Sequence, residues 1–315
     1  MIASLESRPY GRTGEQVTIL GLGGACLSQR SYEDGLATVR RALELGITYF
    51  DTSPYYGNGA SQAILGEALD GCSKKYLLAT KLGHLANPVD YRSMDTLRAQ
   101  LKDNLRLLRR HSSDTLQVHE ADLHYWWSDE VSNQHLPDYN YDFHNEPIMR
   151  VLREAKEQGL CRFIGITGNS AAELTHVLQH VEVDTFLVAF NYDLLWRVAR
   201  YEALPVAYKK GVAVILGGVF RNGSLAMVHP EWLVSPPKWV TPEIKTRLER
   251  LYVLQQDCGL SLVTLTVRYL MTDPNVTTIL VGASTPAELE ECVAAAQQGP
   301  LPSDLHQAVE DLGLQ

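Results

Sequence analysis

The chain alternates two textures from near its start to near its end, and that alternation limits the folds open to it. Stretches with apolar residues three and four apart predict amphipathic helices: SYEDGLATVRRALELG (31–46), MDTLRAQLKDNLRLL (94–108), EPIMRVLREAKEQG (146–159) and AAELTHVLQHV (171–181). Between them lie short apolar runs: ITYFD, YLLATK, TLQVH, RFIGIT, DTFLVAF, VAVILGG and TTILVG. Such runs suit parallel strands buried on both faces. Ser170 with Glu173, and Thr285 with Pro286 and Glu288, fit the capping-box pattern of helix starts. Gly46 and Gly159 stand where a helix has to turn out.

About eight strand–helix units run from LGLGG (20–24) to TTILVG (277–282), with no change of composition to mark a linker. Eight such repeats over roughly 250 residues predict a closed (β/α)8 TIM barrel. The expectation is a single domain over residues 1–315, with an N-terminal β-hairpin and long loops at the C-terminal face. The alternative is a doubly wound sheet, but GLGG (21–24) does not fill the GxGxxG turn that fold carries. Residues 121–145 and 217–241 are the long connections, after the fourth and seventh strands. Barrel chemistry sits where they leave the barrel.

Of 315 residues, 45 % are hydrophobic and 21 % charged, enough for one large core. A formal net charge of −9 argues against nucleic acid or an anionic membrane as the main partner. The five cysteines are scattered and form no CxxC pair, as expected of reduced thiols. No apolar run approaches the roughly 20 residues that span a bilayer, and the first residues, MIASLESRPYGRTG, lack a secretion signal's apolar core. A soluble, cytoplasmic protein is expected.

Three ionisable residues fall at or just past successive strand ends: Asp51, Lys81 and His119. Neighbouring strands lie about 4.8 Å apart, so these side chains can meet at one rim. Tyr55 and Tyr56 follow Asp51 in FDTSPYYG. A phenol titrates near 10 and is a poor base at neutral pH. An adjacent ammonium favours its ionised form, and a carboxylate can hold that ammonium charged and aimed. With His119 polarising a substrate oxygen, the group makes an acid–base device. Taken singly, each residue also reads as structural, and the residues do not choose between the two phenols. A zinc site from His119, His124, His135 and His144 fits no compact ligand spacing.

These residues carry a resemblance. GRTGEQVTILGLGG, GITYFDTSPYYG, LATK, DTLQVHEAD, FIGIT and ILVGASTPAELEE, taken in that order, resemble the aldo-keto reductases over almost the whole chain. Within that family FDTSPYYG, RFIGITG and GGVFRNGSLA look closest to the branch of L-galactose dehydrogenase and D-threo-aldose (L-fucose) 1-dehydrogenase. The resemblance implies a (β/α)8 NAD(P)-dependent oxidoreductase with Asp51, Tyr56, Lys81 and His119 as its catalytic tetrad. Tyr56, five residues past Asp51, is then the proton carrier, and the branch implies a sugar 1-dehydrogenase.

The same resemblance assigns cofactor contacts. Gly24, Thr167, Gly218, Val219 and Phe220 are expected cofactor contacts, Thr167 offering a hydroxyl to the carboxamide and Phe220 covering part of the nicotinamide ring. Gly168 and Leu187 cannot supply the amides usual at their positions, so Asn191 is the expected substitute, and the usual stacking aromatic is missing at Gly217. At the other end Gly282, Ser284 and Thr285 open a helix, where free N–H groups and the helix dipole favour phosphate. NADP-selective relatives carry Lys or Arg in this stretch. Here there is none, and Glu288 would repel a 2′-phosphate, so NAD is expected, with NADP possible. Glu288 also reads as a capping residue only, and Cys292 stands where relatives often have Asn near the adenine.

Tyr55, His124, Trp126, Trp127, Phe220 and Trp232 are expected as substrate walls, aromatic faces suiting a sugar's C–H face. The expected partner is a small molecule, a sugar or other alcohol or carbonyl compound, and the assembly a monomer or homodimer. An NADPH-dependent aldehyde or ketone reductase, and a non-enzymatic nucleotide-sensing barrel, are the competing functions.

Overall fold

Two short antiparallel strands, β1 (Ser7–Pro9) and β2 (Gln16–Thr18), precede eight parallel strands in the computed structural model, which describes residues 4–128 and 141–312. The parallel strands are β3 (Leu20–Gly23), β4 (Tyr49–Asp51), β5 (Leu77–Leu82), β6 (Ser113–Val118), β7 (Cys161–Gly168), β8 (Thr185–Ala189), β9 (Ala213–Gly217) and β10 (Thr278–Val281). Each pairs with the next, and β10 pairs with β3 through Ile279–Leu20, Leu280–Gly21 and Val281–Leu22, which closes the barrel. The predicted alternation is thus the (β/α)8 barrel with its N-terminal hairpin.

The helices fill the outer layer. They are α1 (Tyr32–Glu44), α2 (Ala60–Ala68), α3 (Met94–Leu107), α4 (Pro147–Glu157), α5 (Ala171–His180) and α6 (Val198–Lys210), one after each of β3 to β8. The connection from β9 to β10 holds two, α7 (Pro242–Cys258) and α8 (Leu262–Leu270). After β10 come α9 (Pro286–Gln297) and α10 (Ser303–Glu310). None of the helices among the described residues is long and apolar enough to cross a membrane. Gly46 and Gly159, at φ +84° and +72°, end α1 and α4 in the left-handed conformation that glycine adopts without a Cβ clash.

Because strand side chains alternate, the strands feed two cores. Outward residues such as Leu22, Phe50, Leu78, Leu116 and Ile166 pack under the helices. Inward residues, among them Tyr49, Leu77, Ala79, Leu187, Ala213, Ile215 and Leu280, fill the barrel. Tyr10, from the turn of the hairpin, closes the interior at the N-terminal end of the strands. Its ring lies 5.5 Å from Tyr49 and 5.9 Å from Phe163, and its hydroxyl reaches Thr115 Oγ1 at 3.0 Å. Side chains that point inward near the other end therefore lie over a filled, dry floor.

Two helix starts show how the site's loops are held. Thr285 caps α9, its Oγ1 accepting from Glu288 N at 3.3 Å, as the sequence predicts. At α5 Ser170 is the cap residue, but its side chain makes no capping bond. Asp122, from the loop after β6, takes that role: its Oδ2 accepts from Asn169 N and Ser170 N, both at 2.8 Å. The carboxylate comes from a neighbouring loop, so α5 and the β6 loop are fixed to each other.

Candidate active site

Asp51 ends β4, Lys81 is the fifth residue of β5, and His119 follows β6 directly. In the ladders Asp51 stands opposite Ala79 and Lys81 opposite Gln117, so all three polar side chains project to the same inner face. Lys81 donates to Asp51 Oδ1, and to Thr52 O at 2.9 Å. Gln117 Nε2 donates to the other carboxylate oxygen, Asp51 Oδ2, at 2.9 Å. Lys81 and Asp51 are each 1 % exposed, so this ion pair is out of water and needs those added hydrogen bonds.

Tyr56 lies above the pair, with the Lys81 ammonium 4.9 Å from its ring centre. The His119 ring stands perpendicular to it, 5.7 Å away between centroids. Ser53 fixes that imidazole: its Oγ lies 3.0 Å from His119 Nδ1 and accepts the Tyr55 N–H at 3.1 Å. With Nδ1 engaged, Nε2 is the nitrogen left for a ligand. Gln117 and Ser53 were not anticipated. The signal for Gln117 was present, a polar residue inside the apolar run TLQVH; Ser53 had none.

The electrostatics assign the protonation states. Burial pulls the Lys81 ammonium down, yet Asp51, and then Tyr56, outweigh it and raise its pKa, so it stays charged. Burial pushes the Tyr56 phenol above its ordinary value while Lys81 pulls the other way. Against the expectation from sequence, the ammonium does not prevail, because in this site the desolvation of a phenolate is larger. Tyr56 is therefore a protonated phenol at neutral pH. Burial, then the charge on Lys81 and the proximity of His84, hold His119 well below the usual imidazole range, so it is neutral. The arrangement is a neutral donor pair over a buried, fixed positive charge.

The expected substrate walls divide. Tyr55 is at the mouth, 57 % exposed and stacked on His84 at 3.8 Å. Trp126 and Trp127 are 0 % and 1 % exposed, and their indole N–H groups donate to His119 O at 3.0 Å and Ala121 O at 2.6 Å. They form the packed floor of their loop. His124 is also buried, its Nε2 2.6 Å from the Tyr141 hydroxyl. Trp232 stacks on His229 at 3.8 Å. Polar tips on these rings find partners inside the protein, as buried aromatics do. His135 lies outside the described residues.

The expected nicotinamide contacts divide too. The Thr167 hydroxyl is engaged, donating to Val118 O at 3.1 Å and accepting Glu120 N at 3.2 Å. Asn191 Nδ2 donates to Asn169 O at 2.7 Å and Ala189 O at 2.6 Å, which leaves only its carbonyl oxygen. Val219 is 1 % exposed within the outer core, and Phe220 is half-buried against it. Gly24 is a close-packing position: a Cβ there would meet Ser61 Oγ at 2.4 Å and the Asp51 carbonyl at 2.9 Å. A Cβ on Gly218 would strike the ring of Phe190, which stands beside the place where the stacking aromatic is missing. Asn169, one residue past Gly168, carries a side-chain amide at this rim, and its Nδ2 donates to Glu120 Oε1 at 2.8 Å.

At the far end of the rim Gly282 is exposed, and Ser284 N donates to Glu288 Oε2 at 2.8 Å. Arg30, from the connection after β3, comes to Ser284 Oγ at 3.1 Å and to Glu288 Oε1 at 3.4 Å. This corrects the expectation of no cation there, because the stretch itself has none but the fold delivers one. Here the chain's own carboxylate sits among a backbone N–H, a hydroxyl and a guanidinium, the donors that receive a phosphate or ribose oxygen at a helix start. Those residues fit the polar end of a dinucleotide.

A closed barrel whose rim joins a buried Lys–Asp pair to a phenol and an imidazole holds the groups that acid–base chemistry needs. Residues 19–313 match the sequence profile of the aldo/keto reductase family, and the chain belongs to that family. It is an oxidoreductase acting on CH–OH or carbonyl groups, in a family that uses nicotinamide dinucleotides. It is 29 % identical to L-galactose dehydrogenase of Arabidopsis thaliana, over 94 % of this chain and 90 % of that one. It is 26 % identical to pyridoxal 4-dehydrogenase of Microbacterium luteolum, over 98 % of each. Identity to D-threo-aldose 1-dehydrogenase of a Pseudomonas species is 25 %, over 88 % and 89 %. The holo form of an aldo-keto reductase from Bacillus halodurans superposes with a TM-score of 0.75 at 23 % identity, over 98 % of this chain and 96 % of that one, a likeness of fold.

Proposed function

We propose that the protein is a cytoplasmic, NAD-dependent sugar 1-dehydrogenase, a single domain over residues 1–315, with Tyr56, Lys81, Asp51 and His119 as its catalytic residues. The observation that carries this reading is the Tyr56 phenol set between the charged Lys81 ammonium and the neutral His119 imidazole. When bound, the dinucleotide supplies or accepts the hydride. The protein's part is the proton. Tyr56 gives it to the carbonyl oxygen in reduction and takes it from the hydroxyl in oxidation, when Lys81 stabilises the phenolate. With Ser53 donating to Nδ1, His119 holds the same oxygen through an Nε2–H.

Sugar as the substrate class is supported by the likeness to L-galactose and D-threo-aldose dehydrogenases and by polar side chains beside Tyr55 at the mouth. NAD is favoured by Glu288, whose carboxylate repels a 2′-phosphate; Arg30 offsets that charge and keeps NADP within reach. Five unpaired cysteines suit a reducing compartment. The test is a panel of aldoses with NAD+ and NADP+, followed by nicotinamide absorbance. Lactone formation with NAD+ is expected. Turnover confined to aldehydes with NADPH would make the protein a carbonyl reductase, and no absorbance change with any substrate a nucleotide sensor.

A further inference from the structure

Two residues that no part of the acid–base device uses meet at its mouth. His84 follows β5 and Glu120 follows β6, and both hold the left-handed backbone, at φ +53° and +55°. That conformation is unusual for residues with a Cβ, and it gathers at functional sites because surrounding structure has to impose it. His84 Nε2 is buried and comes to 3.2 Å from Glu120 Oε2, but at an angle that makes no hydrogen bond, and it has no other hydrogen-bond partner among the described residues. A buried imidazole nitrogen left this way is an exception that calls for a ligand.

Further contacts hold each member of the pair. The Tyr55 ring lies on His84 at 3.8 Å and 17° from parallel. Glu120 Oε1 accepts from Asn169 Nδ2 at 2.8 Å, and Asn169 O accepts from Asn191 Nδ2 at 2.7 Å. A polar belt thus crosses the loops after β5, β6, β7 and β8. The His84 ring stands 4.3 Å from that of His119, on the side toward solvent. A substrate oxygen held by Tyr56 and His119 would then have its neighbouring carbon within reach of His84.

We propose that His84 and Glu120 are specificity-determining residues that read a hydroxyl on the carbon next to the reacting one. A hydroxyl is the group that suits them: it accepts from the imidazole N–H and donates to the carboxylate, completing the bond the two do not make with each other. An alkyl hydrogen there leaves the buried His84 Nε2 without a partner, the situation in which a polar site discriminates most strongly. The substrate class is then 2-hydroxy carbonyl compounds and their 1,2-diols, which includes the aldoses of the proposed function. The inference rests on that reading for the placing of the reacting oxygen by Tyr56 and His119, and not for the choice of a sugar.

The experiment compares 2-hydroxypropanal with propanal, two aldehydes that differ in that hydroxyl alone, by kcat/KM in the reductive direction. The wild type is expected to prefer 2-hydroxypropanal. His84→Gly removes the imidazole and relieves its backbone, and Glu120→Gln removes the charge while keeping an acceptor for Asn169. Each is expected to lower the preference by about tenfold, the worth of one well-made polar contact. A wild type with no preference, or a ratio unchanged in both variants, overturns the proposal. Aldose turnover by the wild type is scored separately: its failure removes the sugar reading and leaves the hydroxyl preference standing.

Discussion

Gln117 lies against Asp51: its amide donates to one carboxylate oxygen at 2.9 Å, and this turns the other oxygen to Lys81. The ion pair is therefore a triad across three neighbouring strands, and its third member is uncharged. Gln117→Leu is expected to leave Asp51 Oδ2 unpaired in a dry interior and to cost about 1–3 kcal/mol of stability. Removing the carboxylate itself, in Asp51→Ala, strands a buried ammonium and costs about 3–5 kcal/mol. Urea denaturation at pH 7 orders the two; equal stability of all three proteins would show the pair to be solvated.

Tyr56→Phe keeps the ring and removes only the transferable proton. Turnover is expected to fall by about 10²–10⁴-fold. Dinucleotide affinity, read by quenching of tryptophan fluorescence, is expected to stay within error. Full activity in this variant removes Tyr56 from the chemistry.

The pH dependence follows from the raised phenol. A pKa above the usual value of about 10 keeps Tyr56 protonated across the neutral range. Reduction, which uses the protonated form, is expected to hold its rate through neutral pH and lose it as pH rises through that pKa. Oxidation uses the ionised form, so its kcat is expected to climb with pH toward the same point. Profiles that fall with rising pH in both directions would assign the limb to another group.

Trp126 and Trp127 carry a prediction that separates a packed floor from a pocket wall. Either one replaced by Ala is expected to cost about 3–5 kcal/mol in stability, with thermal unfolding as the readout. A large rise in KM at unchanged stability would return that residue to the substrate pocket.

Glu288→Arg adds a second guanidinium beside Arg30 and removes the carboxylate between them. The ratio of NADP to NAD affinity is expected to rise by about tenfold. Dissociation constants for both dinucleotides measure it, and a constant ratio confines Glu288 to holding Ser284 and the start of α9.

The barrel was legible because burial on both faces writes each strand as an unbroken apolar run, and the four-residue turn of each amphipathic helix follows it. The acid–base residues were legible in part for the same reason: Asp51, Lys81 and His119 each interrupt such a run at its end. Periodicity could not separate Tyr55 from Tyr56, since both lie past the last strand residue. The burial of Trp126 and Trp127 was not legible, because an aromatic loop reads alike whether its rings face a ligand or each other. Arg30 was hidden by distance along the chain, more than two hundred residues from Glu288. His84 and Glu120 were missed because a left-handed backbone at a residue with a Cβ has no signature in composition.

Tyr10 lies at the opposite end of the barrel from all of this. By stoppering the cylinder from below it denies water a second approach to the Lys81–Asp51 pair, so the field that pair projects upward is shielded only from the mouth. A leak at that remote stopper would soften the electrostatics of proton transfer while touching none of the residues that perform it, which makes the hairpin an insulating base for the reaction at the other end.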